Sequence, residues 1–188
     1  MHTSASPSPW VRRWLDALAL PPQASGLDLA CGHGRHAQLM ADKGLRVCAI
    51  DRDADALSGL QHPNIETLCA DLENGAWPLT QRNFDVVVVC NYLWRPTWPH
   101  LMNTVKPGGY LIYETFATGN ETVGKPSRPD FLLQTNELLQ RCQDWHIVAY
   151  ENGFLSQPDR FVQRIAAQRP NSALDNFAPA RHALCVAE

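Results

Sequence analysis

Short apolar runs alternate along the chain with segments whose apolar positions recur every three to four residues. Leu27-Asp28-Leu29-Ala30, Leu45-Arg46-Val47-Cys48-Ala49-Ile50 and Ile65-Glu66-Thr67-Leu68-Cys69 read as three successive strands. Phe84-Asp85-Val86-Val87-Val88-Val89-Cys90 is the strongest strand signal, rich in β-branched residues as a strand covered on both faces should be. A fifth strand follows at 110–114, after a turn at Lys106-Pro107-Gly108-Gly109. The first helix spaces Trp10, Trp14, Leu15 and Leu18 at helical intervals, with Pro9 suited to its first turn and Pro21-Pro22 stopping it. Further helices are expected at 35–43, with Gly44 ending it, at 53–60, with Asp53 as cap, at 97–105 and at 134–141. Residues 116–130 lack periodicity and hold Gly119, Asn120, Gly124, Pro126 and Pro129, so they read as a loop of about fifteen residues, a length that suggests a function. Two strands close the pattern, 145–154 and 160–168, around a turn at Gln157-Pro158-Asp159; beyond Pro170 the signals fade.

Strands alternating with helices, then a β-pair, predict a single three-layer α/β/α domain over residues 10–188. Its core is a Rossmann-like, doubly wound, mostly parallel seven-stranded sheet with an antiparallel hairpin at one edge. Residues 1–9, rich in Ser and Pro, are expected to form a disordered arm.

Composition narrows the partners. The net charge of −3 and the scattered Lys and Arg offer no basic surface, so no nucleic acid is expected. No apolar stretch is long enough to span a bilayer, and the N-terminus lacks the pattern of a signal peptide, so no membrane partner is expected. The six cysteines form no CxxC pair, and several end apolar runs, so they read as free thiols in a cytoplasmic protein. A small-molecule substrate and a monomer or homodimer are the expectation.

In such sheets ligands bind outside the carboxyl ends of the strands, at the switch point beside the first one. That rule selects Ala30-Cys31-Gly32-His33-Gly34, Asp51-Arg52, Ala70-Asp71-Leu72, Asn91-Tyr92-Leu93 and Glu114-Thr115-Phe116. Gly32-His33-Gly34-Arg35-His36-Ala37 fits G-x-G-x-x-A, and Asp51 ends the next strand, so a dinucleotide site is one reading. Three features tilt against it. Asp28 would repel a pyrophosphate but suit a cation. Asp71 adds a carboxylate suited to an amine edge. None of Tyr92, Tyr110, Tyr113 and Tyr150 is followed four residues later by Lys, the pair of a short-chain dehydrogenase. Cys31, His33 and His36 lie close together, but three donors on so tight a turn would displace the small-molecule site, and no metal is expected.

Residues 27–34 resemble the first motif of class I S-adenosylmethionine-dependent methyltransferases. Asp51, Ala70-Asp71 and Val105-Lys106-Pro107-Gly108-Gly109 match the family's later motifs in order, over about residues 26–169, and the nearest likeness is to the small single-domain TehB-like group. The resemblance implies S-adenosylmethionine as cofactor and methyl transfer by in-line displacement to an oxygen, nitrogen or sulfur nucleophile. It implies that Asp51, with Arg52, meets the ribose hydroxyls, that Ala70, Asp71 and Leu72 face the adenine, and that Gly32 and Gly34 admit the methionine portion beside Cys31, Arg35 and His36. Asp28 would anchor the loop or the amino group, and Cys90, Asn91, Tyr92 and Leu93 would floor the site. One departure is Ala30, where the family usually has Gly. For the acceptor, Trp94, Arg95, Phe116 and Arg128 are candidate contacts, with Tyr92 and Glu114 as candidate bases. Asn91-Tyr92-Leu93-Trp94 stands where an Asn-Pro-Pro-Tyr-type motif would signal amino methylation of a base or glutamine. A non-catalytic binding module and a nicotinamide-dinucleotide reductase are the alternatives.

Overall fold

A computed structural model describes residues 6–171. Seven strands form one sheet in the order β3-β2-β1-β4-β5-β7-β6. They are β1 (Ser25–Leu29), β2 (Arg46–Asp51), β3 (Ile65–Cys69), β4 (Phe84–Cys90), β5 (Val105–Phe116), β6 (His146–Leu155) and β7 (Arg160–Gln168). The first five run parallel, and β7 runs antiparallel to its two neighbours, β5 and the edge strand β6. This is the doubly wound architecture with an antiparallel edge hairpin that the hydrophobic pattern predicts.

The alternation of side chains along each strand divides the core into two layers. Val86 and Val88 of β4 pack with Val47 and Ala49 of β2 on one face. Val87 and Val89 pack with Leu27, Leu29 and Ile50 on the other. Helices cover both. On the first face lie α1 (Pro9–Ala17), through Trp10 and Trp14, α2 (Arg35–Asp42), through Ala37 and Met40, and α3 (Ala54–Ser58), through Leu57. On the second lie α4 (Trp98–Thr104), through Trp98 and Leu101, and α5 (Glu137–Arg141), through Leu138. Asp53 caps α3, accepting from the amides of Asp55 and Ala56.

Four local expectations are revised. β5 begins at Val105, and the expected turn at Lys106-Pro107-Gly108-Gly109 is an irregularity within it: the register against β4 jumps from Phe84↔Val105 to Val86↔Tyr110. Gly109 fits there because a Cβ would lie 2.9 Å from the Asp85 carbonyl oxygen. Second, α5 starts at Glu137 rather than 134, because Asn136 takes a left-handed conformation with φ 61°. Third, the loop expected at 116–130 is partly ordered by short 3-10 turns at Asn120–Thr122 and Pro129–Phe131 and by a bridge between Ala117 and Leu133. Buried Asn120 pins it, donating to the Pro126 carbonyl and accepting from the Phe161 amide. Fourth, the arm expected through residue 9 is structured at its described end: Ser8 is buried and caps α1, and Pro9 is the first residue of that helix. Residues 1–5 and the tail from 172, with Cys185, lie outside the described residues.

Candidate functional site

The strand order reverses between β1 and β4, and two adjoining depressions open there at the carboxyl ends of the parallel strands. The first, about 240 Å³, is lined by Ala30, Asp51, Arg52, Ala70, Asp71, Leu72, Glu73, Asn91 and Tyr92. The second, about 280 Å³, is lined by Ala30, Cys31, Gly32, His33, Arg35, His36, Cys90 and Asn91. Ala30 and Asn91, with φ 55° and 57°, form the ridge that the two share.

The β1–α2 loop needs its small residues for two different reasons. Gly32 has φ +54° and nothing within 4 Å of where a Cβ would stand, so its backbone is open to an approaching ligand. Gly34 has φ +72°, and a Cβ there would meet the Leu60 side chain at 2.4 Å; this glycine serves packing. The loop is held from both sides by carboxylates. Asp51 accepts from the Gly32 amide at 2.7 Å through Oδ2 and from the Asp53 amide at 3.0 Å through Oδ1. Asp28, 1% exposed, accepts from the Ala37 amide at 2.8 Å and so ties the first turn of α2 to β1. Burial lifts the Asp28 carboxyl to about 7, against the pull of the Ala37 amide and of Arg35. It lines neither depression, so of the two roles implied for it the structure builds the loop anchor.

Asp71 is half-buried and both its oxygens are engaged locally, by the Glu73 amide at 2.8 Å and the Asn74 side-chain amide at 2.9 Å. These bonds, Asn74 first, hold its carboxyl below the usual range. It is thus a turn former and a wall of the first depression at once. Glu73, on the same turn, is a lining residue that the sequence analysis missed; its place two residues beyond Asp71 is the available signal.

The candidate bases fare less well. Glu114 is 2% exposed and its oxygens are taken: Oε1 accepts from Ser8 Oγ at 3.0 Å, and Oε2 lies 3.4 Å from Arg164 Nη1. The Tyr92 phenol is driven by burial well above its ordinary pKa, away from the ionised form a base needs, and its hydroxyl has no hydrogen-bond partner among the described residues. Four candidate acceptor contacts also lie away from the two depressions. Arg95 is fully engaged, clamping Glu137 through Nε (2.9 Å) and Nη2 (2.8 Å) and donating to the carbonyls of Asp130 and Leu132. Arg128 is exposed, pairs with Asp130 and stacks on Phe131. Phe116 sits in the β5–β7 ladder opposite Val162. The Trp94 carbonyl accepts from the Thr97 hydroxyl and amide, while the neighbouring Trp98 stacks on Tyr113 in the core.

The donor set suits a cationic nucleoside. Asp51, Asp71 and Glu73 line the first depression together with one cation, Arg52, and Gly32 leaves open space beside the second. Among the described residues no group of three or more His, Cys, Asp and Glu side chains is arranged to hold a metal ion.

Comparison with known proteins agrees with this geometry. Residues 27–109 match the model of a methyltransferase domain, from the middle of β1 to the irregularity in β5. The demethylmenaquinone methyltransferase of Renibacterium salmoninarum is 27% identical over 176 residues, covering 90% of this chain and 69% of its own. That of Corynebacterium urealyticum is 29% identical over 158 residues, and the chain spans 63% of its length. Among solved structures, TehB from Haemophilus influenzae superposes with a TM-score of 0.63 at 21% identity, covering 78% of this chain and 57% of that one, and shares the fold. Motif order, switch-point cleft and domain match agree: residues 27–109 match a methyltransferase domain, and the fold is one shared with S-adenosylmethionine-dependent methyltransferases of known structure.

Proposed function

We propose that the protein transfers the methyl group of S-adenosylmethionine to a small-molecule acceptor. The observation that carries this reading is Asp51. Its carboxylate ends β2, fixes the Gly32 amide and lines the first depression, where its remaining lone pairs suit two vicinal hydroxyls. In this reading the ribose meets Asp51, with Arg52 beside it, the adenine lies against Ala70, Asp71, Leu72 and Glu73, and the methionine portion passes Gly32 into the second depression beside Arg35 and His36. Cys90 and Asn91 floor the passage between them.

The bound cofactor supplies a methyl group already activated on a sulfonium. What remains for the chain is alignment and exclusion of water. The ridge of Ala30 and Asn91 sets the angle between the two halves, and the acidic first depression favours a cation over a pyrophosphate. Glu114 and Tyr92 are not poised to take a proton, which suits an acceptor that needs no protein base. The names of the two relatives called demethylmenaquinone methyltransferase support a small organic acceptor over a macromolecule.

Calorimetric titration tests the reading. The protein is expected to bind S-adenosylhomocysteine and not NADH, and Asp51→Ala should weaken that binding about tenfold, roughly 1.4 kcal/mol. Binding of NADH alone overturns the proposal, and unchanged affinity in Asp51→Ala moves the ribose elsewhere.

A further inference from the structure

The chain just ahead of α1 is fastened to the wall of the second depression. Ser8, 5% exposed, donates its amide to His36 Nε2 at 3.1 Å and its hydroxyl to Glu114 Oε1 at 3.0 Å. Two residues earlier, the Ser6 carbonyl accepts from Arg35 Nη1 at 3.1 Å. Arg35 Nη2 in turn lies 3.5 Å from Cys90 Sγ, and Cys90 Sγ lies 4.0 Å from Glu114 Oε1. These contacts close a ring that runs Ser6, Arg35, Cys90, Glu114, Ser8 and back along the chain. Arg35, Cys90 and His36 all line the second depression.

We propose that Ser8 is a positioning residue for methyl transfer, whose hydroxyl latches residues 6–9 onto Glu114 and so holds Arg35, His36 and Cys90 as a closed wall around the methyl-donor end of the cofactor. The proposal rests on the reading of the cleft given above and adds to it a part for Glu114 as the post that receives the latch. The ring borders the second depression and none of its members lines the first, so loosening it speeds release of the bound cofactor while the nucleoside contacts stay in place.

The chemistry of Ser8 allows its two roles to be separated. Its oxygen accepts from the Trp10 and Val11 amides as the cap of α1, and its single proton goes to Glu114. Aspartate accepts at a cap but has no proton to donate, and sets a second carboxylate against Glu114. Asparagine accepts and also donates. Stopped-flow displacement of S-adenosylhomocysteine, with far-UV circular dichroism as the check on α1, therefore compares two isosteric variants. Ser8→Asp is expected to release the ligand at least tenfold faster than the parent, and Ser8→Asn within about threefold of it, both keeping the helical signal. Combining Ser8→Asp with Glu114→Gln places an amide donor opposite the new carboxylate and is expected to restore slow release, and folding should Ser8→Asp alone lose it. Equal release rates in Ser8→Asp and Ser8→Asn, or no restoration in the combined variant, overturn the latch. Parent protein that binds no S-adenosylhomocysteine overturns the reading of the cleft and the latch with it; parent that binds it while Ser8→Asp releases it at the parent's rate overturns the latch alone.

Discussion

The two depressions share a ridge, yet they are built in opposite ways. In the first, the charged groups bond mostly to near neighbours: Asp71 to the Glu73 amide and the Asn74 side chain, and Asp51 to the Asp53 amide, with one longer reach from Asp51 to the Gly32 amide 19 residues away. In the second, buried His36 and the half-buried Arg35 are held by bonds across the fold. Ser8 meets His36 at a separation of 28 residues and Glu114 at 106. A carboxylate held by its own turn is pre-set by local geometry and stays partly open to a ligand. A buried network is set only when the whole domain has closed, and its members are already partnered. Recognition of the nucleoside therefore belongs to local structure, and enclosure of the reacting end to tertiary structure.

The largest effect that separates these two kinds of support is expected at Gly34. Gly34→Val combines strain at φ +72° with collision against Leu60, and should destabilise the protein by about 3 kcal/mol and abolish measurable S-adenosylhomocysteine binding. A thermal shift below about 3 °C would show that the loop adapts. Next comes Arg95→Ala. It leaves the Glu137 carboxylate, whose side chain is 7% exposed, with Arg141 at 3.7 Å as its remaining charged partner, and should cost about 2 kcal/mol in urea unfolding with cofactor affinity unchanged. A change in the acceptor KM instead would return Arg95 to the site.

A smaller effect concerns pH, because two groups of the β1–α2 region titrate against each other. The Asp28 carboxyl is raised by burial to about 7 in the fold, so its contribution to stability is fully present below pH 4 and is lost as pH rises towards 7. The His36 imidazole is lowered, by burial first and then by Arg35, to about 3, so its contribution is present above pH 6.5 and is lost as pH falls towards 3. The opposed slopes cancel between about pH 4 and 6.5 in the parent. Asp28→Asn, which keeps an oxygen for the Ala37 amide, should expose the histidine slope, with stability rising with pH over that window. A flat profile in Asp28→Asn, measured by chemical denaturation at several pH values, would remove the premise that burial lowers His36. The smallest effect is expected at Asp71, where Asp71→Ala should weaken S-adenosylhomocysteine binding roughly threefold with little loss of stability, since its bonds are confined to its own turn.

The same contrast explains which features are legible in the amino-acid sequence. β3 and β4 lie where the apolar runs place them, and Asp53 caps α3 as its position predicts. Asp51 and Asp71 are legible for the same reason: strand ends and turn residues are local signals. Glu114 is legible as a residue at the cleft end of β5, but not as an occupied one, because its partners Ser8 and Arg164 lie 106 and 50 residues away. Arg95 reads as a free cation because nothing near it in the chain announces Glu137. Ser8 reads as part of a loose arm: the composition of residues 1–9 is that of a disordered segment, and the buried acceptors that order its end belong to α2 and β5.

A crystal structure with S-adenosylhomocysteine bound tests the central claim most directly. The ribose hydroxyls are predicted within hydrogen-bond distance of the Asp51 carboxylate, the adenine against Asp71 and Leu72, and the sulfur above the ridge of Ala30 and Asn91. A nucleoside seated outside the depression lined by Asp51 would contradict the account.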